Sequence, residues 1–104
     1  VEEVRVEGHT SSEFGDNNTD LEKYIGNMRL SQDRTRAVTS YALSTLQDDN
    51  REWLQRILTA NGLSSSKLIR FPSGNEDEVK SRRVEFKVRT SSRATISELQ
   101  AVIE

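Results

Sequence analysis

Valines at positions 4 and 6 alternate with Glu3, Arg5 and Glu7, so Val1–Glu7 has the two-residue period of a strand with one buried face. From Gly8 to Asn18 the chain is Gly-, Ser-, Asn- and Asp-rich, which predicts a loop at the carboxyl end of that strand. The period then lengthens. Tyr24, Met28, Ser31, Thr35, Val38, Ala42 and Thr45/Leu46 recur at three- and four-residue steps, the spacing of one helix face. This helix starts either at an Asp20 cap, with Gly26 inside it, or near Asn27, and ends by Gln47–Asn50. A second helix is expected over about 49–61. Asp49-Asn50-Arg51-Glu52 has capping-box spacing, Trp53, Leu54, Ile57 and Leu58 form the stripe, and Asn61-Gly62 is the stop. Lys67–Phe71 reads as a short strand and Pro72–Ser81 as a turn-rich acidic connection. Arg82–Arg89 alternates most cleanly, with Val84, Phe86 and Val88 against Arg83, Glu85, Lys87 and Arg89. Ile96, Leu99, Val102 and Ile103 place a stripe on a terminal helix at about 93–103.

Strands separated by helices imply an α/β protein, an α+β sandwich in which helices cover one face of a small mixed parallel and antiparallel sheet. At 104 residues the chain is a single domain, and an apolar fraction of 33% makes the core thin. Three short strands and six aromatics leave that core marginal. This favours a fragment whose first strand and helix lie upstream, as does a start at Val rather than Met.

The net charge of −2 argues against nucleic-acid binding, which needs a basic excess. Arginines do cluster locally at 29, 34 and 36 and again at 82 and 83, and a local patch suits a small carboxylate or phosphate. Without cysteine there are no disulfides or thiolate metal sites, and no cofactor is implied. No apolar run reaches the ~20 residues of a membrane span, so this segment does not itself insert in a bilayer.

The chemistry on offer is recognition rather than catalysis, since no nucleophile–base pair is evident. An arginine fork donates two parallel bonds to a carboxylate or phosphate. Arg34, on the helix beside the strand-end loop, is placed to do so. Thr10 and Ser11 supply hydroxyls and Asn27 an amide. The plainer readings are that His9 is a turn histidine, Glu7 and Glu85 are solvent-facing strand charges, and Trp53 belongs to the core. Ser64–Ser66 reads as loop. Arg82 and Arg83 alternate across their strand, so one of them at most enters a given pocket.

Three segments in order carry a resemblance. Val4-x-Val6-x-Gly8-His9-Thr10-Ser11, then Asn27-x-x-Leu30-Ser31-x-x-Arg34-Thr35-x-x-Val38, then Ser81-Arg82-Arg83-Val84-Glu85 together resemble the OmpA-like peptidoglycan-binding domain. That domain is found in outer-membrane barrels, envelope lipoproteins and flagellar-stator-type proteins. The resemblance covers about residues 4–90. It implies a non-enzymatic module that binds a diaminopimelate-type stem peptide and anchors a larger protein in the envelope or periplasm of a Gram-negative bacterium. Arg34 would pair with a carboxylate of the diacid, and Thr10, Asn27, Leu30, Arg82 and Arg83 would line the site.

The chain departs from the family pattern where Ser11 replaces an Asp that holds the ligand's ammonium. Glu13 or Asp16 would then have to substitute. Thr35 stands for Ala and Ser81 for Asn. The family's first strand is central to its sheet, so its absence would leave two strands without their common neighbour, a gap that a second copy of the chain could fill. The alternative function is a protein-interaction or dimerisation scaffold with a degenerate pocket. The parent protein remains open between a stator type, a lipoprotein and a barrel.

Overall fold

The computed structural model describes residues 1–90 in full and residues 96–99 as backbone. Strand β1 (Glu3–His9) is followed by helix α1 (Asp20–Ser44), helix α2 (Asp48–Ile57) and strand β2 (Leu58–Gly62). A short helix α3 (Glu78–Ser81) leads into β3 (Arg83–Arg89), and β4 (Ile96–Leu99) completes the order. The sheet order is β2-β1-β3-β4, with β1 parallel to β2, antiparallel to β3, and β3 antiparallel to β4. A mixed sheet with α1 packed on β1 and β2 is the α/β class the sequence implied.

The helix boundaries follow local chemistry. The Thr19 hydroxyl accepts from Glu22 N–H, while Glu22 Oε1 accepts from Thr19 N–H. This reciprocal capping box fixes the start one residue before the expected Asp20 cap. Gly26 lies inside α1 because the Phe14 ring rests where its Cβ would be. Gln47, not Asp49, is the N-cap of α2, and its side chain makes no cap bond. Arg51 instead reaches back to the carbonyls of Leu43 and Leu46 (3.1 and 2.9 Å), so one guanidinium joins the end of α1 to α2.

Four expectations are corrected. Residues 58–61 are strand rather than helix: Leu58 and Thr59 open β2, and the register Val4↔Leu58 to Gly8↔Gly62 aligns it with β1. β-Branching at Thr59 and the pairing edge of β1 outweigh the helical stripe read from Leu54, Ile57 and Leu58. Lys67–Phe71 forms no strand, only the isolated bridge Arg70↔Glu76. Ile96–Leu99 is strand, and the rest of the expected 93–103 helix lies outside the described residues. There is also no gap in the sheet, because β1 is hydrogen-bonded on both sides, to β2 and to β3.

Among the described residues the fully buried hydrophobic side chains are Val6 and Val84. The buried stripe of α1 is polar instead: Asn27, Ser31 and Thr35, four residues apart. Trp53 is 48% exposed, so it is not core.

Candidate ligand-binding site

Gly8 makes the site possible. A Cβ there would run into Thr35 Oγ1 and lie 2.6 Å from the Ser31 carbonyl, so only glycine lets β1 end this close to α1. Hydrogen bonds then fasten the strand end. Thr10 N–H donates to Ser64 O (3.0 Å) and Ser64 N–H to Ser31 Oγ (3.0 Å). Ser64 Oγ donates to Tyr24 O (2.7 Å). Ser64 is fully buried at φ 55°, a left-handed conformation that costs a non-glycine residue about 1–2 kcal/mol. Three bonds along one residue offset that cost. A loop assignment for Ser64–Ser66 missed this joint, since a serine run carries no signal for which hydroxyl is buried.

Asn27 Nδ2 donates to Glu13 O (3.2 Å), tying α1 to the loop beyond Thr10. Thr10 Oγ1 donates to Ser11 O (2.9 Å), and both residues are buried. Leu30 and Arg34 are half-buried on the same side of α1 as Asn27 and Ser31. Arg34 has no hydrogen-bond or ion-pair partner among the described residues. Thr10, Ser11 and Asn27 thus lie at the joint of the strand-end loop and α1, and Leu30 and Arg34 follow along the same side of the helix. A shallow groove between α1 and β2, lined by Gln32, Thr35, Thr39, Ala60 and Gly62, contains none of them.

Arg82 and Arg83 lie apart from that group. Arg82 is exposed and 3.9 Å from Glu78. Arg83 pairs with His9 in the β1–β3 register, and Glu85 with Glu7. Gly8 faces α1, so its strand neighbours Glu7 and His9, with Arg83 and Glu85 across from them, face the opposite side of the sheet. There the Arg83 guanidinium donates to Glu85 Oε1 (2.6 Å) and to the carbonyls of Ser81 and Lys67. It is a structural tie with its donors taken up internally.

The same face corrects the reading of Glu7 and Glu85 as solvent-facing. Both are buried, and Lys87 Nζ lies 3.0 Å from Glu7 Oε1. His9 is 1% exposed, its Nε2 is 3.6 Å from Glu85 Oε2, and neither ring nitrogen has a hydrogen-bond partner. Burial, reinforced by the Arg83 charge, lowers the His9 pKa from 6.5, so the imidazole is neutral at pH 7. Burial alone would raise Glu85; the hydrogen bond and charge of Arg83 outweigh it and hold the carboxyl below its ordinary value. Glu7, His9 and Glu85 bring potential ligand atoms within 4.8 Å of one another. Lys87 and Arg83 already balance the two carboxylates, so a divalent cation would add uncompensated charge to a buried site. The set is best understood as an ion network.

A curated protein of Escherichia coli shares 41% identity with this chain over 101 residues. It is Zorya protein ZorB. The match with ZorB covers 95% of the chain, so it takes in β1, α1 and β3 together. The chain in turn spans 43% of the length of ZorB, and the likeness concerns that segment. No family model matches the chain, and no solved structure does. Among the described residues no helix is long and apolar enough to cross a membrane.

Proposed function

We propose that this segment is a non-enzymatic wall-binding module that grips the diacid residue of a peptidoglycan stem peptide without covalent chemistry. Its parent would be a membrane-associated, stator-like envelope protein tethered to the cell wall of a Gram-negative bacterium. The observation that carries this reading is Arg34, a half-buried guanidinium that makes no ion pair among the described residues and lies about two turns along the same side of α1 from Asn27. A buried-edge cation with open donors favours a planar anion that can accept two bonds. Leu30 offers apolar contact for the aliphatic part of a diacid. Arg82 and Arg83 have no part in this reading, since one is solvated and the other engaged on the far face. Similarity to a protein of Escherichia coli supports the envelope type. The test is co-sedimentation with purified sacculi: the native chain should pellet with them and Arg34→Ala should stay in solution.

A second reading, a protein-interaction or dimerisation scaffold, draws on the exposure of Trp53 and the burial of Ser11. Titration with a diaminopimelate-containing peptide separates the two. Shifts of the Thr10 and Asn27 amide resonances favour wall binding, and a silent spectrum favours the scaffold.

A further inference from the structure

Strand β2 ends the sheet: β1 pairs with one side of it, and no strand among the described residues pairs with the other. The ladder shows which backbone groups that free side carries. Leu63 N–H donates to Gly8 O (2.9 Å), in step with the register Gly8↔Gly62. Successive residues of a strand turn their backbone groups to opposite sides. Thr59, Asn61 and Leu63 therefore face β1, while Ala60 and Gly62 hold their N–H and C=O outward. Sheet edges are ordinarily blunted by charge, proline or a bulge. Leu58-Thr59-Ala60-Asn61-Gly62 has no charged residue and no proline, and its pairing with β1 skips no residue. Residues 59–61 are exposed.

The side chains of β2 shape what lies beside that edge. A Cβ on Gly62 would meet Gln32 of α1 at 2.5 Å, so Gly62 faces the helix, and by the two-residue period so does Ala60. Small residues at both positions leave a groove of about 190 Å³ between the free edge and α1, walled on the helix side by Gln32, Arg36, Thr39 and Ser40. Arg36 is the charged residue of that lining, and neither Arg34 nor Asn27 belongs to it. The Arg36 side chain is 77% exposed and gives one bond to Asp33 (3.2 Å), which lies outside the groove. A guanidinium has five N–H donors, so most of its fork stays open to a carboxylate.

We propose that the β2 edge docks an extended segment of a partner protein, added to the sheet as one more strand, with an acidic side chain of that segment entering the groove to meet Arg36. Main-chain bonds to Ala60 and Gly62 supply affinity, and the groove supplies selectivity. Alternate residues of the added strand point to the α1 face, so the acid is read at one parity only. A second copy of this chain is the poorer occupant. Paired edge to edge about a two-fold axis, it would set its own α1 on the same face and turn two Arg36 side chains toward each other.

A displayed library of random linear peptides, selected on the native chain, supplies the probe. Selected peptides should carry an acid flanked by β-branched residues, and their binding should move the Ala60 and Gly62 amide resonances while those of Thr10 and Asn27 stay in place. Ala60→Pro removes one outward N–H and leaves the ladder to β1 whole, since that N–H has no partner there. It should weaken the best peptide about tenfold or more with an unchanged circular dichroism spectrum. N-methylation of alternate peptide amides tests the same bonds without touching the fold: one parity should abolish binding and the other should spare it. Arg36→Gln should bind the acidic peptide and its glutamine counterpart equally, where the native chain prefers the acid. Arg34→Ala should bind like the native chain. A selection that yields no peptide, peptides that map to other residues, or binding indifferent to both Ala60→Pro and N-methylation would overturn the proposal. So would self-association of the native chain in sedimentation that Ala60→Pro abolishes, which would give the edge to a second copy.

Discussion

Arg34 and Arg83 place the same guanidinium on opposite faces of one small sheet, and their surroundings give them opposite tasks. Arg83 is 7% exposed and spends its donors on Glu85 and two backbone carbonyls. Arg34 is half-buried and has no such acceptors among the described residues. The far face closes on itself: Glu7, Arg83, Glu85 and Lys87 answer each other's charge around a buried His9. On the α1 face, Gly8 and Ser64 bring a loop against the helix without supplying a counter-ion to Arg34 among the described residues. A buried charge that is fully paired is structure, and a half-buried charge left unpaired is available for a guest.

The contrast is broken most severely at Arg83. Arg83→Ala leaves Glu85 as an uncompensated buried carboxylate, and unfolding in urea should show a loss of about 3–5 kcal/mol. The corresponding change on the other face should act on binding instead. Arg34→Ala should weaken peptidoglycan binding by about 2–4 kcal/mol while shifting the thermal midpoint little. If Arg34→Ala unfolds the protein and Arg83→Ala does not, the two faces have been assigned the wrong way round.

The joint between β1 and α1 should give a smaller effect. Ser31→Ala removes the acceptor of the buried Ser64 N–H, which should cost about 1–3 kcal/mol of stability. Faster hydrogen exchange at Thr10 and Ser64 should accompany it.

The smallest effect is a pH dependence on the far face. His9 has a folded pKa below its unfolded 6.5, so the unfolded chain binds the extra proton first and stability falls as pH drops below about 6.5. Glu85 adds to this at lower pH: its folded value lies below 4.5, and its contribution is present above that and lost as pH falls through the folded value. Denaturation midpoints measured from pH 7 to 5 should decline for the native chain and stay flatter for His9→Gln.

How much of this was legible beforehand differs between the elements. β1 and β3 were plain because alternation of valine or phenylalanine with charges admits one period, and α1 was plain from its three- and four-residue spacing. The turn into β2 was hidden, since Leu54, Ile57 and Leu58 fit a helix stripe and only pairing with β1 reveals the strand. Arg34, Asn27 and Thr10 were nominated through the spacing of their motifs. Ser64 was not, because it acts through contacts dozens of residues away in sequence. Arg83 looked like a site residue for the same reason in reverse: its motif was visible, and the Lys67 carbonyl that engages it was not.

The account is tested most directly by the affinity of purified sacculi for the native chain and for Arg34→Ala, measured side by side on proteins of matched thermal stability. Saturable binding by the native chain and a loss of about 30-fold or more in the variant is the outcome predicted. Equal retention of both, or of neither, on sacculi would contradict the claim that Arg34 is held open for a cell-wall carboxylate.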